Sequence, residues 1–372
     1  LQVSIHVNRG KFGNTYRVKL RDPDGKQFTK TFKSRRQSEA WQVEQKHKLS
    51  KNTWSDPKSG QMTVRELAAQ WREITFPNKR QRTRERDDSI LERHILPYLG
   101  SRTIASIKKL DVDRLINKWT QAGQKNGTVL RQRAILSGLF TFAVDNDYLT
   151  KNPVAACSVK KEPSAEPRVI SIADVEKILN ELNTTDQTML IVMLGCGLRW
   201  SEVVGLRTKD VDLTAEHPTL TVDQSVHVTT VGILTQPPKS RAGRRKHRLP
   251  TGVTEWLVEY LKVNGLSEDC SDRLIFTAPE GGVVRYSNWV KRHLDKAIDR
   301  AGISRVTTKV LRSSYGTYLA ENGIPLKTIQ KNMGHADSRT TMNHYIGPTD
   351  QAAVRAADVM DSILPRPKFL TD

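Results

Sequence analysis

Cysteine is scarce: Cys157, Cys196 and Cys270 are too few, and odd in number, for a disulfide framework, so a reducing compartment is expected. Long apolar runs are missing as well. No stretch approaches the ~18 consecutive apolar residues that a spanning helix needs, and no charged-then-apolar leader opens the chain, so a cytoplasmic protein with no membrane partner is expected. No glycine-rich loop with a following Lys-Ser/Thr occurs, which leaves nucleotide-driven work without support, and no His/Cys group has zinc spacing. Asp210 and Asp212 form a lone acidic pair that reads as solvated or capping rather than as a magnesium site. No cofactor and no metal are expected. Acidic residues are also short against basic ones, 40 Asp+Glu to 60 Lys+Arg, and the resulting +20 suits a surface that neutralises phosphates.

A chain of 372 residues holds two or three domains at about 150 residues each. The charge is uneven along it. Residues 1–60 carry 14 Lys+Arg and 5 Asp+Glu, residues 61–160 carry 18 and 10, and residues 161–372 carry 28 and 25. Basic gripping modules ahead of a nearly balanced body fit that distribution, and so does a generally basic, well-solvated protein.

Residues 4–7, 15–20 and 27–32 alternate apolar and polar, separated by Arg9-Gly10 and Asp22-Pro23-Asp24-Gly25, which predicts a three-stranded antiparallel sheet. From Ser34, a plausible N-cap, the period turns helical, with Ala40, Trp41 and Val43 as its apolar stripe. Arg17, Lys19, Lys26 and Lys30 on exposed strand faces make a DNA-groove reader or a solvated basic sheet. Residues 52–61 read as a polar linker. Beyond Thr63 the helical period returns at Val64-Leu67-Ala68-Trp71, at Ile90 to Leu96, at Val112 to Trp119 and from Val129 to Ala143, an all-helical module. Between the first two lies a run with Lys79, Arg80, Arg82, Arg84 and Arg86, too polar for core, which is a phosphate-contact candidate or a solvated loop. Asn152-Pro153 ends the last helix and residues 160–167 make a second linker. The remainder mixes helices from Ile172, Thr188 and Thr254 with strands at Thr219–Val222 and Arg248-Leu249. The fold expected is multidomain α+β: a small sheet plus helix over 1–55, an all-α bundle over 62–160 and a mixed, mainly helical α/β body over 166–372.

Two passages carry chemistry. One is Gly197-Leu198-Arg199-Trp200-Ser201-Glu202 with Leu206; the other is Lys309-Val310-Leu311-Arg312, then Met333-Gly334-His335, then His344-Tyr345. Each fragment alone is weak, but in this order the set resembles the tyrosine recombinases, the phage-integrase family, strongly over residues 165–350. The helical module and the basic sheet resemble the core-binding and arm-binding modules of the lambda-like branch. The resemblance implies that Arg199 and Arg312 hold a phosphate and that His335 orients it or helps move a proton. Tyr345 would then be the nucleophile. It implies a general-acid lysine on a β-hairpin within 236–245, for which Lys239 is the choice and Lys246 the competitor, with Arg241 and Arg244 as DNA contacts beside it.

That assignment agrees with the chemistry. Cutting a phosphodiester without metal takes a nucleophile that becomes covalently attached, fixed cations for the charge growing on the non-bridging oxygens, and an acid for the departing 5′ oxygen. Guanidinium offers a planar fork matched to phosphate, which Lys does not. The chain departs from the family twice. Lys309 stands where His is commoner, which removes a group able to titrate near neutrality and leaves a phosphate contact open. The step from His335 to Tyr345 is one residue longer than in many members, which puts His344 at the usual place of the tyrosine. Residues 350–360 read as an amphipathic helix that docks either on a neighbouring protomer or on its own domain.

The resemblance further implies a site-specific recombinase working through a 3′-phosphotyrosyl intermediate to integrate and excise a mobile element. Its partners would be double-stranded DNA with core-type and arm-type sites, three more copies of the chain in a homo-tetramer, a host DNA-bending protein and an excision factor. A nucleoid-associated location in a bacterial host would follow. A type IB topoisomerase-like enzyme and a catalytically silent DNA-binding regulator are the alternatives.

Overall fold

The computed structural model describes residues 3–10, 13–21, 27–50, 61–160, 162, 168–238, 240–266 and 271–337. Lys26, Lys239, Cys270, His344, Tyr345 and the helix expected over 350–360 lie outside the described residues. The chain divides into two compact units, residues 1–163 and 164–372.

The first unit opens with strands β1 (Val3–Gly10), β2 (Gly13–Arg21) and β3 (Gln27–Phe32), an antiparallel sheet in the order β1-β2-β3. Helix α1 (Arg35–Ser50) sets Trp41 against Phe32, ring centres 5.8 Å apart, on the side where Val18 and Leu20 are fully buried. The register pairs Arg17 with Thr31 and Lys19 with Thr29, but Val18 with Lys30. Alternation therefore puts Lys30 on the face of Val18, its ammonium 5.5 Å from the Trp41 ring centre. Of the four basic residues expected on exposed strand faces, Arg17 and Lys19 share one face, Lys30 is exposed on the other, and Lys26 is outside the described residues.

Next come α2 (Val64–Thr75), α3 (Gln81–Ile90), α4 (Leu96–Leu99), α5 (Lys109–Gln121) and α6 (Asn126–Asp145). Thr63 caps α2 reciprocally with Glu66: Thr63 Oγ1 accepts from the Glu66 N–H at 3.2 Å and Glu66 Oε2 accepts from the Thr63 N–H at 2.7 Å. Trp71, Leu91, Ile95, Leu136 and Phe140 meet in one core. The basic run 79–86 is not a loop, because most of it is the first turns of α3. Lys79 donates to buried Asp87 at 3.1 Å and lies 3.9 Å from the Trp71 ring centre. Arg84 donates to the carbonyls of Lys79, at 2.7 Å, and Pro77, at 3.0 Å. These two hold the helix entrance together, whereas Arg80, Arg82 and Arg86 are exposed.

The second unit begins with α7 (Ile172–Asn180), α8 (Thr184–Cys196) and α9 (Trp200–Val203). Then follow β4 (Val211–Asp212), β5 (Thr219–Val222), β6 (Ser225–Thr229), β7 (Gly232–Gln236) and β8 (Arg245–Arg248). Helices α10 (Thr251–Val263), α11 (Tyr286–Trp289), α12 (Asp295–Arg300), α13 (Thr308–Glu321) and α14 (Leu326–Met333) complete it. Helix α8 buries Met189, Leu190, Val192, Met193 and Cys196, an apolar surface too wide for an outer helix, and so forms the core between α10 and α13. The small antiparallel sheet runs β4-β5-β8, and β6-β7 is a separate hairpin. Asp210 accepts from Arg207 through its backbone N–H at 2.9 Å and through its guanidinium, the capping use of that acidic pair. Among the described residues no helix is long and apolar enough to cross a membrane.

Candidate active site

Two left-handed glycines aim the site. Helix α8 stops at Gly197, φ 60°, where a Cβ would come within 2.4 Å of the Tyr315 ring. The chain then turns through buried Leu198 and presents Arg199 just ahead of α9. Helix α14 stops in the same way at Gly334, φ 63°, where a Cβ would meet the Ala242 carbonyl and Arg245 Nη1 at 3.0 Å each, and His335 follows.

Helix α13 supplies the bridge between the turns. Arg312, buried on its inner face, donates through Nη1 to the Gly197 carbonyl and through Nη2 to the Met333 carbonyl. Its Nη2 also lies 2.9 Å from Nε2 of buried His335. The His335 backbone is fixed from both sides: its N–H donates to the Gln330 carbonyl and its carbonyl accepts from Gln330 Nε2, both at 3.1 Å. Arg199 Nη2 donates to the Gly334 carbonyl at 3.3 Å. Arg199, Arg312 and His335, 136 positions apart in sequence from first to last, thus meet at one place.

Beneath them lies one buried carboxylate. Glu202 Oε1 accepts from Arg199 Nη1 at 2.7 Å and Oε2 accepts from the Arg199 backbone N–H at 2.9 Å. Arg245 Nη2 donates to Oε2 at 2.8 Å and its Nη1 to Oε1 at 3.2 Å. Burial alone would push Glu202 up, but the hydrogen bond and charge of Arg245, then the charges of Arg199 and Arg312, carry it down to about 2. It is an anion throughout the physiological range, and three guanidiniums against this one carboxylate leave a local excess of positive charge. The Arg199 side chain remains 42% exposed, against 8% for Arg312, so the outer arginine is the one a ligand reaches first. The arrangement suits a doubly coordinated anion such as a phosphodiester.

Lys309 is exposed on the first turn of α13, one helical turn before Arg312. Arg241 and Arg244 are exposed in the short turn between β7 and β8. Lys239 comes just before that turn in sequence and Tyr345 ten residues after His335, both outside the described residues. Tyr315, which packs on Gly197, keeps its proton because burial pushes the phenol up.

Sequence reasoning missed Arg245 and His247. They stand inside β8, where the sequence reads Arg-Lys-His-Arg and looks like surface, yet Arg245 and His247 are buried and Lys246 and Arg248 exposed. Strict alternation was the only signal available. Burial first, then the charge of Arg245, lowers His247 to about 3, so it is a neutral acceptor for Arg245 Nε at 2.9 Å.

Comparison with known proteins agrees with this geometry. Residues 168–352 match the phage integrase family, and residues 63–120 match the phage integrase N-terminal SAM-like domain. An integrase of Streptomyces ambofaciens is 26% identical over 367 residues, 93% of this chain and 92% of its own. A XerC-like tyrosine recombinase of Caldanaerobacter subterraneus is 27% identical, over 70% of this chain and 72% of its own. Among solved structures, the Tn1549 transposon integrase in complex with transposon right end DNA superposes with a TM-score of 0.67 at 25% identity, over 80% of this chain and all of that one. A lambda integrase tetramer bound to a Holliday junction shares the fold, with a TM-score of 0.59 at 18% identity over 92% of this chain and 96% of that one.

Proposed function

The chain belongs to the phage integrase family and is a tyrosine recombinase, a site-specific DNA strand-transferring enzyme, and from that premise we propose how its own residues do the work. The Tyr345 oxygen attacks the scissile phosphorus, a 3′-phosphotyrosyl bond forms, and the 5′ oxygen leaves with a proton from Lys239. Arg199 and Arg312 bind the non-bridging oxygens, where negative charge grows in the transition state. His335 orients the phosphate or passes the tyrosine proton, and Lys309 contacts the phosphate from the rim. A 5′ hydroxyl of a second duplex then attacks the phosphotyrosine in the reverse sense. The bond energy stays in the covalent link, so the cycle uses no nucleotide. The observation that carries this reading is the convergence of Arg199, Arg312 and His335 on two glycine turns above buried Glu202.

Residues 1–55, with Arg17 and Lys19 on the open sheet face, are assigned to arm-type sites. Residues 62–160, with Arg80, Arg82 and Arg86, are assigned to core-type sites. Residues 166–372 carry the chemistry, with Arg241 and Arg244 against the backbone. The DNA-bound Tn1549 and lambda integrases support integration and excision of a mobile element by four protomers on two duplexes. A host DNA-bending protein and an excision factor would set the direction, in the bacterial nucleoid. The test is a plasmid bearing two candidate attachment sites, incubated in EDTA with wild type and with Tyr345→Phe. Recombinants from wild type alone are the expected result; recombinants from Tyr345→Phe would move the nucleophile elsewhere.

A further inference from the structure

Arg245 has no place in the reaction above, yet it is more deeply buried than either phosphate arginine. Its side chain is 3% exposed. Every side of the guanidinium is engaged: Nη1 and Nη2 on Glu202, Nη1 on the Gly243 carbonyl at 3.1 Å, and Nε shared between the Asn332 carbonyl at 2.7 Å and His247 Nε2 at 2.9 Å. Three pieces of the site therefore hang on one residue. Glu202 belongs to the Arg199 turn, Asn332 to the end of α14 that delivers His335, and Gly243 to the turn that follows Lys239. That turn has no slack, since a Cβ on Gly243 would come within 2.5 Å of Pro238 Cβ.

Glu202 is the reason such a residue is needed. It is a carboxylate 2.7 Å from Arg199 and 4.0 Å from Arg312, so it competes with any phosphate for the same two forks. We propose that Arg245 is a positioning residue that occupies both oxygens of Glu202, so that Arg199 keeps the exposed part of its guanidinium for the scissile phosphate and Arg312 stays on the Gly197 and Met333 carbonyls, while it ties the turn of Gly243 to the His335 turn. The planar fork matters, because only a guanidinium reaches both carboxylate oxygens and two backbone carbonyls at once. Removing Arg245 alone leaves an ionised carboxylate that draws Arg199 and Arg312 inward. Removing the charge of Glu202 at the same time removes the competitor. The inference rests on the reading of Arg199 and Arg312 as phosphate ligands.

Four proteins test it: wild type, Arg245→Met, Glu202→Gln and the double variant, each checked for cooperative melting. Two quantities are read, the rate of covalent adduct formation on a nicked core-site duplex and the affinity for inorganic phosphate by calorimetry at low salt. Arg245→Met is expected to lose roughly tenfold or more in adduct rate, with binding of intact DNA little changed, and the double variant to recover most of the loss. A wild-type rate for Arg245→Met, or a double variant no faster than the single one, overturns the proposal. Should Arg245→Met fail to melt cooperatively, Arg245→Lys replaces it. Its deficit against wild type is expected to be largely relieved when Glu202→Gln is added to it, whereas a deficit that Glu202→Gln leaves unchanged overturns the proposal. If wild type forms no adduct, the reaction scheme fails, and the inference is decided by phosphate affinity. The same order of proteins supports it and equal affinities overturn it.

Discussion

Arg312 Nη2 stands 2.9 Å from His335 Nε2, and because a guanidinium only donates, the imidazole accepts at that nitrogen. The proton of the neutral ring is therefore on Nδ1. Nitrogen-resolved NMR of the histidine-labelled protein is expected to show the neutral form of His335 as the Nδ1–H tautomer. An Nε2–H signal would contradict the contact.

His247 makes the fold sensitive to acid. Burial and then the charge of Arg245 hold it at about 3, below the ordinary value of 6.5, so the unfolded chain takes up this proton first. Its stabilising share is complete above pH 6.5 and is lost as pH falls toward 3. At pH 5 the loss is about 2 kcal/mol, from 1.36 kcal/mol per pKa unit. Urea midpoints of wild type and His247→Gln, measured from pH 7 to pH 4.5, are expected to converge as pH falls. A constant gap between them would contradict the assignment.

Arg82 and Arg84 lie two residues apart in one basic run and are expected to fail differently. Arg82 is exposed, so Arg82→Ala should leave the melting temperature unchanged and reduce the slope of log affinity against log salt by about 1. Arg84 is spent on the Lys79 and Pro77 carbonyls, so Arg84→Ala should cost about 2 kcal/mol of stability. Melting curves and salt titrations on both variants separate the two roles. Equal salt slopes with equal stability would contradict the division.

That pair also marks how far the sequence could be read. Arg199, Arg312 and His335 were legible because each sits in a short local pattern whose order survives any loop length between them. The three amino-terminal strands were legible from alternation, but not the face of Lys30, because facing follows from the pairing with Val18 and register is not local. Helix α8 begins at Thr184 rather than near Thr188, where the apolar pattern starts, since Asn183 caps it by accepting from the Asp186 N–H. The hairpin β6-β7 lacks a strong turn signal at Thr230-Val231, so local sequence does not mark it as strands. Arg245 and His247 were invisible because a basic strand that faces inward has the composition of one that faces water. Only the carboxylate of Glu202, 43 residues away, tells them apart.

The central claim is that Tyr345 becomes covalently joined to a 3′ phosphate without metal. The most direct measurement is mass spectrometry of peptides from wild-type protein trapped on a nicked core-site duplex in EDTA. A nucleotide mass on the peptide containing Tyr345, absent when Tyr345 is replaced by Phe, is the expected result. The same mass on any other residue, or an adduct that forms only when a divalent metal is restored, would contradict the account.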